Sequence, residues 1–283
     1  MTPSATARPD PDPAANDGAA PGAIPTDALA RLRAESPLVH NITNHVVMEP
    51  TANALLAIGA APAMLHSVDE VEAFTPLAGA LVVNIGTFES AWLAGMKLAI
   101  AAARSHGIPW ALDPVALFAS PYRTAAAADL ARRGPAVIRA NASEVLALAG
   151  AAGAGGRGPD STHDAEAALD AGRDLARETG AVVAITGATD YVLDAERLVA
   201  IEGGDALMAR VTGTGCTATA LVGAFLGAGL APFEAACSGL ASLAAAGEQA
   251  AAVAAGPGSL PVALLDHLYH LDQAAIDGRA RAA

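Results

Sequence analysis

The chain has 283 residues, 53% apolar but only 4% aromatic, with a formal net charge of -13. That length suits one large α/β domain whose core must be built from Ala, Val, Leu and Gly rather than from rings. Lys97 is the only lysine, so no basic stripe is available to neutralise a phosphate backbone, which argues against nucleic acid and anionic membrane surfaces as partners.

Residues 1–24, rich in Pro, Ala and Asp, read as a disordered tail without the apolar centre of a signal peptide. From there short β-branched runs alternate with longer Ala/Leu-rich segments of helical period, the pattern of a mostly parallel sheet covered by helices. In chain order the expected elements are a helix near 26–35, a strand from Leu38 to Ile42, a helix near 46–58, a strand from Ala61 to Met64, and a strand from Leu81 to Ile85. A helix near 89–106, strands from Trp110 to Leu112 and from Val137 to Arg139, and helices near 142–149 and 162–179 follow. Thr26 and Ser90 are suited to capping their helices. The glycine-rich stretch from Gly150 to Pro159 reads as a surface loop. A strand from Val182 to Thr186 leads to a hairpin of Tyr191 to Leu193 with Leu198 to Ile201. Helices near 214–229, 232–254 and 260–273 close the fold. A single domain over 25–275 is expected, with a C-terminal tail over 276–283. The most membrane-like run, Ala218 to Ala231, is shorter than the roughly 20 residues a span requires. Cys216 and Cys237 are too few for a disulfide framework and too far apart for a CxxC pair, so a reducing, cytoplasmic setting fits.

The polar residues fall at one edge of this frame. Asn41, Asn84 with Gly86, Asp113, Arg139 with Asn141, and Thr186 with Gly187 each stand at the C-terminal end of an expected strand, where open parallel sheets bind ligands. Gly213-Thr214-Gly215-Cys216 opens a helix: the glycines let an anion approach, and the first-turn N–H groups point at it. The same field is expected to lower the thiol pKa of Cys216. A thiolate beside bound phosphate suggests phosphoryl transfer to a small alcohol; an inert buried cysteine is the plainer alternative. Asp113 and Glu144 could hold a hydrated Mg²⁺ that bridges to substrate phosphates, although Glu144 also reads as a first-turn acid of its helix and Asp113 as a turn residue before proline. Arg139 could stabilise phosphate charge. Gly213 to Ala218 matches the GxGxxA dinucleotide pattern, yet a second helix follows where that motif needs a strand. No P-loop occurs. His40 and His45 could serve Cys216 as a general base, but no zinc-type histidine spacing exists.

Six segments in this order, Val39-His40-Asn41-Ile42-Thr43-Asn44, Ala52 to Ala60, Asn84-Ile85-Gly86-Thr87, Leu112-Asp113-Pro114-Val115, Ile138 to Glu144, and Thr212 to Cys216, resemble the hydroxyethylthiazole kinase family from about Thr26 to Asp272. The resemblance implies a ribokinase-like three-layer sandwich that phosphorylates 4-methyl-5-(2-hydroxyethyl)thiazole with ATP and Mg²⁺ in thiamine biosynthesis or salvage. It also implies a homotrimer with active sites between subunits. By the same resemblance Cys216 faces the substrate hydroxyl and Gly213 to Gly215 form the anion hole. Met64, Asn41 and Gly213 line the substrate pocket. Arg139, Thr186 and Asn141 hold the nucleotide, and Asp113 with Glu144 form the metal region. Ala116-Leu117-Phe118-Ala119 and Ala140 depart from the family pattern in the loops over the triphosphate. Other acceptors on the same fold, a hydroxymethylpyrimidine or pyridoxal, remain open, as do an ATP-dependent lyase of hydrated nicotinamide cofactors and a thiazole sensor without turnover.

Overall fold

The computed structural model describes residues 20–150 and 162–283. The strands are β1 (Leu38–Ile42), β2 (Ala61–Ala63), β3 (Ala80–Asn84), β4 (Trp110–Asp113), β5 (Val137–Asn141), β6 (Val182–Thr186), β7 (Asp190–Leu193), β8 (Leu198–Ile201) and β9 (Ala280–Ala282). They form one sheet in the order β2-β1-β3-β4-β5-β6-β7-β8-β9. Pairing is parallel from β2 through β6 and antiparallel from β6 to β9. The helices are α1 (Ala28–Glu35), α2 (Met48–Ile58), α3 (Val71–Phe74), α4 (Ser90–Ser105), α5 (Pro121–Ala131), α6 (Ala142–Leu148), α7 (Thr162–Thr179), α8 (Thr214–Gly227), α9 (Pro232–Val253), α10 (Leu260–His270) and α11 (Gln273–Ile276).

Three layers follow from the two-residue alternation of strand side chains. Val39, Val82, Ala111, Val137 and Ala184 pack into one core with α1, α2, α8, α9 and α10. Leu81, Val83, Leu112, Ile138 and Val183 pack into the other, with α4, α5, α6 and α7. Both sheet faces are therefore buried, which is why the central strands read as continuous apolar runs.

The strands match the sequence expectation to within one or two residues, as do most helices. Four differences have local causes. Helix α5, unforeseen, starts at Ser120-Pro121: the serine hydroxyl accepts the Arg123 N–H and proline occupies the first helical position. Its interior is mostly alanine, so it carries little apolar periodicity. Segment 276–283 is no tail, because Ala280–Ala282 pairs antiparallel with β8; Ala-Arg-Ala has no β-branched residue to announce a strand. Residues 20–24 are packed rather than disordered, with the Ala20 N–H donating to the Ala280 carbonyl and Ala23 buried. Thr26 and Ser90 do not cap: α1 follows Asp27, Ser90 is the first residue of α4, and neither N-cap position makes a side-chain bond. The expected disordered segment over 1–19 and the loop beyond Gly150 lie outside the described residues.

The scarcity of rings sets the helix spacing. At Gly239, in the middle of α9, a Cβ would stand 2.8 Å from the Val222 backbone nitrogen and 2.9 Å from its Cα, on α8. Gly239→Ala should therefore force the two helices apart and cost about 1–3 kcal/mol. Urea denaturation measures this; an unchanged midpoint would contradict the close approach.

Candidate active site

Asn41, Asn84, Asp113, Arg139 and Thr186 each lie two residues beyond a strand residue packed against the α8 layer, so all five share the face that α8 covers. Register sets Asn84 opposite Asp113 and Asn141 opposite Thr186. The sheet thus brings the expected polar residues to the N-terminus of α8.

Asp113 is the centre of this group. Its side chain is fully buried, and one oxygen, Oδ2, accepts from Asn84 Nδ2 at 2.9 Å and from the Thr219 hydroxyl at 2.8 Å. The other, Oδ1, is buried with no hydrogen-bond partner and stands 3.7 Å from Arg139 Nη1. Burial pushes the carboxyl up to about 6, against the opposing pull of Arg139 and the two hydrogen bonds and with the aid of the Glu144 charge. Arg139 reaches across to donate to the Thr186 hydroxyl. Its guanidinium lies flat against Gly215, where a Cβ would come within 2.6 Å of Nη1. The glycine is thus what lets the cation reach the start of α8.

Gly213 holds the N-cap position of α8 at φ 89°, with no side-chain cap bond, so no side chain competes with an anion for the first-turn N–H groups. Cys216 is half-buried in that turn, and its Sγ accepts from Asn44 Nδ2 at 3.6 Å. The expected acidic thiol is not found. Burial first, then the Asp113 charge, pushes the Cys216 thiol up to about 11, and these outweigh the Asn84 and Asn44 amides and Arg139. The thiol is consequently neutral at physiological pH.

Glu144 is engaged by the backbone. With Asn141 it makes a capping box at the start of α6, Oε2 accepting the Asn141 N–H at 2.9 Å while Oε1 accepts the Ala116 N–H at 2.8 Å. It ties the loop after β4, where Ala116 has φ 50°, to the end of β5. Each of its oxygens keeps a lone-pair site beyond these two bonds. Among the described residues no group of three or more His, Cys, Asp or Glu could by itself hold a metal.

Beyond Arg139 and Thr186 opens a cleft of about 590 Å³, lined among others by Asp190, Met208, Thr214, Gly215 and Leu243. Asp190 Oδ1 accepts the Gly187 N–H at 3.0 Å and so shapes the turn after β6; burial above all raises its carboxyl pKa. On the other side, Met64 follows the edge strand β2 and is half-buried, packing against the α8-side core. Asn41 is buried; its Nδ2 donates to the Val39 carbonyl and its Oδ1 has no partner. Neither is brought into hydrogen-bond contact with Cys216.

The histidines do not serve the thiol. His40 points to the opposite face, its ring bonded to the Leu65 carbonyl at 2.8 Å and to the Thr75 hydroxyl at 3.1 Å, and burial lowers its pKa. His45 packs against Trp92, ring centroids 4.9 Å apart at a 53° tilt. Asn84, expected at its strand end, lies between Cys216 and Asp113; Asn44 and Thr219, which complete their surroundings, carried weak signals: Thr219 lies three residues after Cys216, hence on the same helical face, and Asn44 ends the Asn-Ile-Thr-Asn turn.

A sequence model of the hydroxyethylthiazole kinase family matches residues 29–274. Hydroxyethylthiazole kinase of Granulibacter bethesdensis is 55% identical over 253 residues, 89% of this chain and 92% of that protein. The enzyme of that name from Nitratidesulfovibrio vulgaris is 51% identical over 88% of this chain and 94% of its own. Among solved structures, hydroxyethylthiazole kinase of Pyrococcus horikoshii OT3 superposes with a TM-score of 0.83 at 42% identity, covering 91% of this chain and 97% of that one. An ADP complex of Bacillus subtilis pyridoxal kinase superposes with a TM-score of 0.58 at 17% identity, covering 74% and 90%, and shares the fold.

A carboxyl whose folded-state pKa is raised makes its full contribution to stability below its ordinary value, 3.8, and loses it as the pH rises through about 6. That interval corresponds to about 3 kcal/mol. Asp113→Asn should accordingly gain on the parent protein by up to about 3 kcal/mol between about pH 4 and about pH 7, as read from paired urea titrations. A pH-independent difference would contradict the buried, raised carboxyl.

Proposed function

This chain belongs to the hydroxyethylthiazole kinase family, and we propose that it transfers the γ-phosphoryl group of ATP to the side-chain hydroxyl of 4-methyl-5-(2-hydroxyethyl)thiazole, in thiamine biosynthesis or salvage. The observation that carries this reading is the convergence of Asp113, Arg139 and Cys216 on the uncapped N-terminus of α8. Such a site offers a fixed positive field to phosphate and a neutral, polarisable wall to a small alcohol.

ATP would lie in the cleft beyond Arg139, its phosphates on the α8 first turn at Gly213 to Gly215 and its base toward Met208 and Leu243. Arg139, held by Thr186, faces the charge that spreads over the transferring phosphoryl oxygens. Asn141 completes the nucleotide side through the turn it caps. The thiazole would occupy the side of Met64 and Asn41, its hydroxyl beside Cys216. The hydroxyl oxygen attacks the γ-phosphorus in line as the bond to ADP breaks, and the hydroxyl proton passes to an oxygen of the transferred phosphoryl group as the ester bond forms. Because the thiol is neutral, Cys216 acts by packing and orienting the hydroxyl rather than by taking its proton in advance.

The acidic pair fits a hydrated Mg²⁺. Asp113 Oδ1 is a buried oxygen with no hydrogen-bond partner, facing Arg139 at 3.7 Å, Glu144 is within electrostatic reach, and this cation binds through one or two carboxylates plus substrate phosphates. Bound there it would neutralise charge on the ATP phosphates. The family resemblance further supports a cytoplasmic homotrimer with active sites between subunits. The exposed Val46 and Leu56, at 56% and 59% accessibility, supply apolar surface near α2, which packs beside edge strand β2. No helix among the described residues is long and apolar enough to cross a membrane.

ADP release from ATP and Mg²⁺ tests this reading, with hydroxyethylthiazole, hydroxymethylpyrimidine and pyridoxal run side by side. Turnover dependent on the thiazole is expected; turnover with pyridoxal alone, or none, would overturn the substrate assignment. With a thiol near 11, kcat should stay flat from about pH 7.5 to about pH 9, and Cys216→Ala should lower it about tenfold. A tenfold rise of kcat per pH unit would instead mark Cys216 as the base.

A further inference from the structure

The amide of Asn84 joins the two halves of this site. It stands at the end of β3, 1% exposed, and uses its whole hydrogen-bonding capacity inside the protein. Its Oδ1 accepts from Asn44 Nδ2 and from the Gly86 N–H, each at 2.9 Å. Its Nδ2 donates to Asp113 Oδ2 at 2.9 Å and also bears on the Cys216 sulfur. Asn44 in turn places its second N–H on the same sulfur at 3.6 Å, while its Oδ1 accepts the Val46 N–H. Oxygen and nitrogen are fixed in both amides, because each oxygen receives a backbone N–H that an amide nitrogen could not accept.

Resting on the proposed phosphoryl transfer, we propose that Asn84, braced by Asn44, is a positioning residue of the reaction: it locks the sulfur of Cys216 and the carboxylate of Asp113 into one frame, so that the alcohol and the phosphate meet in register. Two consequences follow from the bond directions. The sulfur receives the amide N–H groups of both Asn44 and Asn84, so both of its lone pairs are engaged within the protein and its S–H is what it has left to offer the hydroxyl. The carboxylate has Oδ2 consumed by Asn84 and Thr219, so Oδ1 alone is turned toward Arg139. A misplacement of about 1 Å at either end can cost up to 10²-fold in rate, which makes a buried, fully satisfied amide a fitting clamp.

A double-mutant cycle separates this role from a general structural one. Asn84→Ser and Asn44→Ala are each made in the parent and in the Cys216→Ala background, and kcat and KM for ATP are measured with hydroxyethylthiazole. Each single variant should lower kcat about fivefold with KM for ATP changed less than about threefold; when Cys216 is already alanine the Asn44→Ala loss should shrink below about twofold, and the Asn84→Ser loss should shrink to the part carried by Asp113. Equal losses in both backgrounds, an effect on KM alone, or parent-like kcat would overturn the proposal. If Asn84→Ser does not fold, the Asn44 arm, on a loop, decides by itself. Parent protein with no thiazole turnover would count against the substrate assignment, whereas parent turnover with unaffected variants counts against Asn84.

Discussion

A carboxylate with no exposed surface is the constraint around which this molecule is arranged. Asp113 ends a central strand, and a charge there is costly unless paired and hydrogen-bonded. The protein meets the cost with Asn84 from the neighbouring strand, Thr219 from the covering helix and Arg139 from the strand on the other side. Each of these has further consequences. Thr219 fixes the rotation of α8 over the sheet. Arg139 can approach only because Gly215 lacks a side chain. Asn84 extends the network to Asn44 and Cys216. The compensation is incomplete, since Oδ1 keeps no hydrogen-bond partner; that deficit is where a cation or its water would be welcome.

The thiol illustrates why position in a helix does not fix chemistry. A helix N-terminus lowers a cysteine pKa when the sulfur is solvated and unopposed. Here the sulfur is withdrawn from water and shares its surroundings with a carboxylate, and both push the other way. A neutral thiol suits a reaction in which a loose phosphoryl transition state needs placement more than a strong base.

Much of the fold was legible because its strands are buried on both faces and its helices amphipathic or wholly apolar, so that β6, Val182–Thr186, is read to the residue. What escaped was local: α5 is almost featureless alanine, and β9 is held by pairing and by Ala20 rather than by its own propensity. In the site, residues at strand ends were legible from strand periodicity alone, and Asp113 and Arg139 do meet. Glu144 was ambiguous between capping and ligation, and the structure gives it the capping bonds. Asn44 and Thr219 were not legible as neighbours of the thiol, because they come together from chain positions far apart and only the packing of α8 on the sheet joins them.

The central claim is that Asp113 is a buried carboxyl held above its ordinary range by its surroundings. A carbon-13 carboxyl titration of aspartate-labelled protein without nucleotide or metal, with the Asp113 signal assigned through its asparagine variant, tests this directly. The account predicts a midpoint near 6; titration near the ordinary 3.8 would show a solvated or fully compensated carboxylate and remove the constraint from which the rest of the site was derived.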